Sequence, residues 1–162
     1  MPITFNADEI FEMAVEIEKQ AQKFYTNAAD IAPDPDTKQF MKNMAGMELS
    51  HAKTFEIMRQ DLTDQEKASD IFDPANEAAM YLQAMADSHG QEGLKAPDIK
   101  FDGSESTQQI IKAAIQAEKN SVVFYTGIKE MVPRKAGRGQ IDAIIKEEMG
   151  HIAALTKKLA EL

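Results

Sequence analysis

The chain lacks cysteine and tryptophan altogether, although it has 162 residues. The missing thiols exclude disulfides, zinc fingers, thiol nucleophiles, iron–sulfur clusters and Cys₄ iron sites, so any metal must be held by oxygen and imidazole. Positive charge is scarce: 18 Lys and Arg against 27 Asp and Glu give a formal charge of −9. A surface so acidic argues against nucleic acid as a partner. No stretch approaches the roughly 18 uncharged residues of a membrane span. The N-terminus shows neither the basic nor the apolar region of a secretory signal. A soluble, cytoplasmic protein with no membrane partner is therefore expected. The apolar share of 43% against 28% charged residues is enough for a real core and does not fit extended disorder.

Glycine and proline are also few, eight and six, and they cluster, which leaves four long segments free to be helical. The first opens at Asn6, with Glu9 completing a capping box, and runs to about Asp30, where Pro33 and Pro35 end it. The second opens at Asp36, with Gln39 as its partner, and runs to about Gln60. The third begins near Ser106, with Gln109 three residues on, and stops at Pro133; the fourth follows Gly137 and Gly139. About 45 residues separate the second and third segments, too many for an ordinary helix–helix turn. Within them, Asn76 to Ser88 reads as a short fifth helix and Gln91 to Asp102 as irregular chain. These observations predict an all-α four-helix bundle of two hairpins, about 6–60 and 106–162. A long crossover, about 61–105, joins them within a single domain, 1–162.

The buried stripe of each long helix can be written out at the 3–4 spacing of a bundle seam. The first gives Phe11, Ala14, Glu18, Ala21, Tyr25 and Ala28, and the third Ile111, Ala114, Glu118, Ser121, Tyr125 and Ile128. The second gives Met44, Glu48, His51, Phe55 and Met58, and the fourth Ile141, Ile144, Glu148, His151 and Leu155. Four Glu and two His would thus face one core. An ionised carboxylate costs several kcal/mol to bury, and clustered ones repel. Lys19 and Lys119 follow their Glu by one position and point about 100° away. Two divalent cations would balance four carboxylates, and oxygen with imidazole suits iron or manganese better than copper, with zinc also admissible.

One Glu-x-x-His is weak evidence by itself. Here, however, an offset of 100 carries Glu118 to Glu18, Tyr125 to Tyr25, Glu148 to Glu48 and His151 to His51 without a gap. Two hairpins related by a pseudo-two-fold axis would place equivalent ligands around a two-metal centre. Tyr25 and Tyr125 lie about 10 Å along the helix from their own Glu, which suits them to orient a ligand from a neighbouring helix rather than to bind metal. His89 has no such partner and reads as a surface residue. Met41, Met44, Met47 and Met58, with Phe24, Phe40, Phe55 and Phe124, read as core packing.

At Glu18/Tyr25, Glu48/His51, Glu118/Tyr125 and Glu148/His151 the sequence resembles the rubrerythrin branch of the ferritin-like di-iron carboxylate proteins. The resemblance implies a ferritin-like bundle holding two Fe ions. Glu48 and Glu148 would bridge them, Glu18 and Glu118 would be terminal carboxylates, and His51 and His151 would each hold one iron. Rubrerythrins often carry a further ligand Glu one turn from the third-helix Glu, and a C-terminal rubredoxin domain. Here Ile115 and Ser121 stand on either side of Glu118, and there is no cysteine. The resemblance therefore implies an oxidoreductase that reduces hydrogen peroxide, or dioxygen, with electrons from an external rubredoxin-like donor. A homodimer or higher homo-oligomer is expected. The alternatives are a ferroxidase or iron-storage protein of ferritin type and a di-manganese catalase-like or oxygenase-like enzyme.

Overall fold

Three of the four long helices start where a side chain takes up a free amide group of the first turn. The computed structural model describes residues 5–69, 71, 73–87 and 101–162. Helix α1 spans Ala7–Ile31; Asn6 accepts from the Glu9 amide, and the Glu9 carboxylate accepts from the Asn6 amide, both at 2.9 Å. Helix α2 spans Pro35–Gln60 and is capped not by Asp36 but by Asp34, which accepts from the Thr37 amide at 2.8 Å. Pro35 therefore begins α2 rather than closing α1, because a first-turn position needs no N–H and its φ is already helical.

Among its described residues the crossover holds two short helices, α3 at Asp64–Ala68 and α4 at Glu77–Asp87. The sequence pattern predicts α4 but not α3, although Thr63 and Glu66 form a complete capping box. The irregular segment expected from Gln91 lies outside the described residues up to position 100, as does His89. Helix α5 spans Thr107–Met131 behind the Ser106/Gln109 box. A 3₁₀ turn at Arg134–Ala136 leads through Gly137 into α6, Arg138–Ala160, so Gly139 lies inside that helix. Gly137 is required by its φ of +109°, a backbone conformation that L side chains rarely adopt.

Helices α1 and α2 pack along their length, as do α5 and α6, and α1 lies against α5 and α2 against α6. Residues 32–34 and 132–137 are short connections, so each pair is an antiparallel hairpin. The apolar core divides into two clusters. One contains Phe11, Ala14, Phe55, Met58, Phe124, Ile128 and Ile144. The other contains Phe24, Ala28, Met41, Met44, Ile110, Ile111 and Leu155. The sequence positions of Glu18, Glu48, Glu118 and Glu148 fall between these sets, so a polar layer separates the two ends of the core. Of the seam residues, only Ser121 is not buried. Phe40 is partly buried under Lys158, and Met47 is 38% exposed rather than core, since it stands one position off the Glu48 seam. No helix among the described residues is long and apolar enough to cross a membrane.

Candidate metal centre

Six polar side chains meet in that middle layer. Glu18, Glu48, Glu118 and Glu148 are each at most 2% exposed, and His51 and His151 are buried with them. They form two groups. Glu18, Glu48, His51 and Glu148 make one, and Glu48, Glu118, Glu148 and His151 make the other, with the four candidate ligand atoms of each within 4.8 Å of one another. Glu48 and Glu148 belong to both.

The atoms divide cleanly between the groups. Glu148 sets Oε1 3.0 Å from His51 Nδ1 and Oε2 3.0 Å from His151 Nδ1. Glu48 sets Oε2 4.0 Å from His51 Nδ1 and Oε1 3.3 Å from His151 Nδ1. Each of these carboxylates thus spans the layer with one oxygen per group. Glu18 and Glu118 each serve one group, with Oε2 3.5 Å from Nδ1 of His51 and of His151 respectively. The imidazole rings lie nearly parallel, 5.7 Å apart.

The tyrosines tie down the other oxygen. Tyr25 on α1 donates to Glu118 Oε1 on α5, and Tyr125 on α5 donates to Glu18 Oε1 on α1. Both phenols are buried, and burial together with the nearby carboxylates raises them well above the usual phenol range, so they keep the proton that they donate here. Phe24 and Phe124 pack edge-on against Tyr25 and Tyr125 at 5.3 and 5.5 Å, and Phe55 stacks on Tyr125 at 5.2 Å.

Charge in the layer is strained. Burial drives the Glu18 carboxyl well above its usual range; His51 opposes this, and Glu48 and Glu148 add to it. Burial also leads for Glu118, reinforced by its contact with Glu148. Burial disfavours a charge on either imidazole, but the surrounding carboxylates prevail. Glu148 and Glu18 push His51 up to about 11, and Glu118, Glu148 and Glu48 push His151 up to about 12. Glu148 goes the other way: against burial, Glu118, His151 and His51 hold it well below the usual range. Protons on the histidines and on the outer carboxyls thus supply the balance that no Lys or Arg provides. Lys19 instead pairs with Glu56 on the surface at 3.0 Å.

Those protons do not satisfy every atom. Glu18 Oε2, Glu48 Oε1, His51 Nδ1 and Glu148 Oε1 are buried without a hydrogen-bond partner. Unpaired buried polar atoms are expensive, and these four all belong to the two groups. A donor set of carboxylate oxygens and imidazole nitrogens that converge without hydrogen-bond partners, and would give up their protons to a metal, fits two divalent cations. A family model described as Rubrerythrin matches residues 9–160. The chain belongs to the rubrerythrin family. Its fold is ferritin-like: a Thermotoga maritima structure described as a ferritin-like diiron-carboxylate protein aligns with a TM-score of 0.71 at 17% identity, covering 98% of this chain and 97% of that one. No curated protein matches the chain.

One side chain at this centre was not anticipated. Glu147 on α6, 60% exposed, reaches across to His51 on α2, its Oε2 lying 2.8 Å from Nε2. In this rubrerythrin-family chain it stands one position off the seam, so the periodicity that selects Glu148 passes it over. The adjacent Glu147–Glu148 pair, absent at Met47–Glu48, was the available signal.

Proposed function

We propose that this rubrerythrin-family chain is a di-iron oxidoreductase that reduces hydrogen peroxide, or dioxygen, with electrons from an external rubredoxin-like donor. The observation that carries the reading is the pair of four-residue groups sharing Glu48 and Glu148. Glu48 and Glu148 would bridge the irons, Glu18 with His51 and Glu118 with His151 would complete the two positions, and manganese or zinc would suit the same donors. Held by these residues, a ferrous pair would supply the two electrons, and the Lewis acidity, needed to take peroxide and two protons to two waters.

The chain's own residues set the conditions. Tyr25 and Tyr125 hold one oxygen of Glu118 and of Glu18, which aims the other oxygen inward. Phe24, Phe55 and Phe124 exclude bulk water from the tyrosine ends of the layer, where electrostatic interactions are correspondingly stronger. These 162 residues contain no cysteine, so they cannot themselves form a Cys₄ iron donor.

The test is stopped-flow oxidation of protein loaded anaerobically with ferrous iron. The reading expects oxidation by peroxide faster than by dioxygen, and re-reduction by added rubredoxin. A preference for dioxygen with many irons retained per chain would assign a ferritin-type ferroxidase instead. Peroxide disproportionation without reductant would assign a manganese catalase-like enzyme.

A further inference from the structure

The hundred-residue offset relates every proposed ligand to its counterpart and fails at Glu147, whose equivalent is Met47. The failure is structural as well. His51 Nε2 faces the Glu147 carboxylate at 2.8 Å, whereas among the described residues no carboxylate is paired with Nε2 of His151. Met47 has neither charge nor a strong acceptor to offer. The two halves of the centre therefore have matching inner donors and unequal outer support.

We infer that Glu147 is a positioning residue that fixes the His51 ring and makes the two metal positions unequal, the Glu18–Glu48–His51–Glu148 group filling first. This rests on reading the cluster as a di-metal site. Nδ1 of His51 points at Glu18, Glu48 and Glu148, so Nδ1 is the nitrogen that would bind metal. Ligation there requires Nδ1 to be bare and Nε2 to carry the hydrogen. A carboxylate at Nε2 selects that tautomer, locks the ring against rotation about its Cβ–Cγ bond, and makes Nδ1 a stronger donor. His151 has its inward nitrogen arranged in the same way but must find its tautomer without such a partner. Glu147 also adds a negative charge just outside one group only. An exposed carboxylate contributes little to fold stability as an ion pair, so its effect falls on the ring it orients rather than on the bundle. Loss of such an outer partner typically weakens metal binding about 10- to 100-fold.

The experiment is anaerobic titration of metal-free protein with cobalt(II) at fixed pH, followed by calorimetry and by the ligand-field spectrum. Wild type is expected to bind two cobalt ions in steps separated by about 10- to 100-fold. Glu147→Met should weaken the first step by that factor, leave the second in place and merge the two. Glu147→Gln keeps an acceptor without the charge and should recover part of the loss. In zinc(II)-loaded, ¹⁵N-labelled protein, His51 should show a protected Nε2–H resonance that Glu147→Met removes. Indistinguishable steps in wild type, equal weakening of both steps by Glu147→Met, or an unchanged His51 Nε2–H resonance would each overturn the inference while leaving a di-metal site standing. Failure to bind cobalt at all would overturn the di-metal reading and this inference with it.

Discussion

Tyr125 on α5 donates its phenolic hydrogen to Glu18 on α1 across 107 residues of chain. The reverse pair, Tyr25 to Glu118, joins the same two helices, so residues 18 and 25 run opposite 125 and 118. This reciprocity fixes α1 and α5 antiparallel and in register at the level of the carboxylates. It also assigns each terminal Glu two tasks, one oxygen held by a phenol and the other left inward.

Removing that phenol should therefore separate stability from ligand geometry. Tyr25→Phe and Tyr125→Phe keep the ring packing but leave a carboxylate oxygen buried without its donor, at a cost of about 1–3 kcal/mol. The expected result is a lower urea midpoint with an unchanged m-value. Metal should still bind, more weakly, because the released carboxylate can rotate. Phe variants as stable as wild type would show that the hydroxyls contribute packing alone.

Much of this arrangement could be read from the residues. The Glu and His positions stood out because a carboxylate at a 3–4 seam position has no business among Ala, Ile and Phe, and because the offset of 100 repeated it. The sequence points to Asp36 rather than Asp34 as the cap because Pro35 reads as a terminator, whereas proline is neutral or favourable in a first turn. Helix α3 is only five residues long, too short for periodicity to register, and only its cap announces it. Met47 and Glu147 escaped because a seam pattern says which residues turn inward and nothing of where a long side chain one position away can reach.

Sharing of Glu48 and Glu148 by both groups makes a stoichiometric prediction. Wild type should take up two ferrous ions per chain under anaerobic conditions. Glu48→Ala or Glu148→Ala should lose at least one, because each carboxylate faces both positions. Lys19→Ala, at a surface ion pair with Glu56, should leave uptake intact. Elemental analysis after desalting decides. Equal uptake by all three variants would mean that the bridging assignment is wrong.

Stability of the metal-free protein should depend on pH with a definite sign. The raised imidazoles of His51 and His151, at about 11 and 12 against 6.5 in the unfolded chain, contribute stability that is fully present below about pH 6.5 and is lost as pH rises. Glu18 and Glu118 are also raised, so the cost of their burial grows as pH climbs above 4.5. Glu148 is lowered, and its contribution disappears as pH falls through the carboxylate range below 4.5. Metal-free protein should thus be most stable near pH 4.5 and lose stability progressively as the pH rises, most steeply above about 6.5, where the imidazoles add to the two carboxyls. Metal binding displaces those protons, so the loaded protein should show a much flatter profile and the calorimetric heat of binding should vary with buffer ionisation enthalpy. Urea titrations with chelator at several pH values test the first statement, and binding in buffers of different ionisation enthalpy tests the second.

Replacing Glu18 and Glu118 together by Gln isolates the electrostatic part of that cost. Burial favours the neutral form of both carboxyls, and Gln is a permanently neutral mimic whose carbonyl can still accept from Tyr125 and Tyr25. At pH 7 and above, the double variant without metal should be more stable than wild type, because the unfolded chain no longer gains by ionising these two groups. That advantage should vanish as the pH falls below 4.5, where both unfolded carboxyls are protonated anyway. With ferrous ion the order should reverse in the increment: wild type gains more from metal, since binding to the folded state alone raises stability with affinity, and Gln is the poorer ligand. Thermal melts of both proteins at pH 4 and pH 7.5, with ferrous ion and with chelator, give all four comparisons. A double variant less stable than wild type without metal at pH 7.5, or a wild-type midpoint indifferent to ferrous ion, would show that Glu18 and Glu118 are not held in a shared, metal-seeking layer.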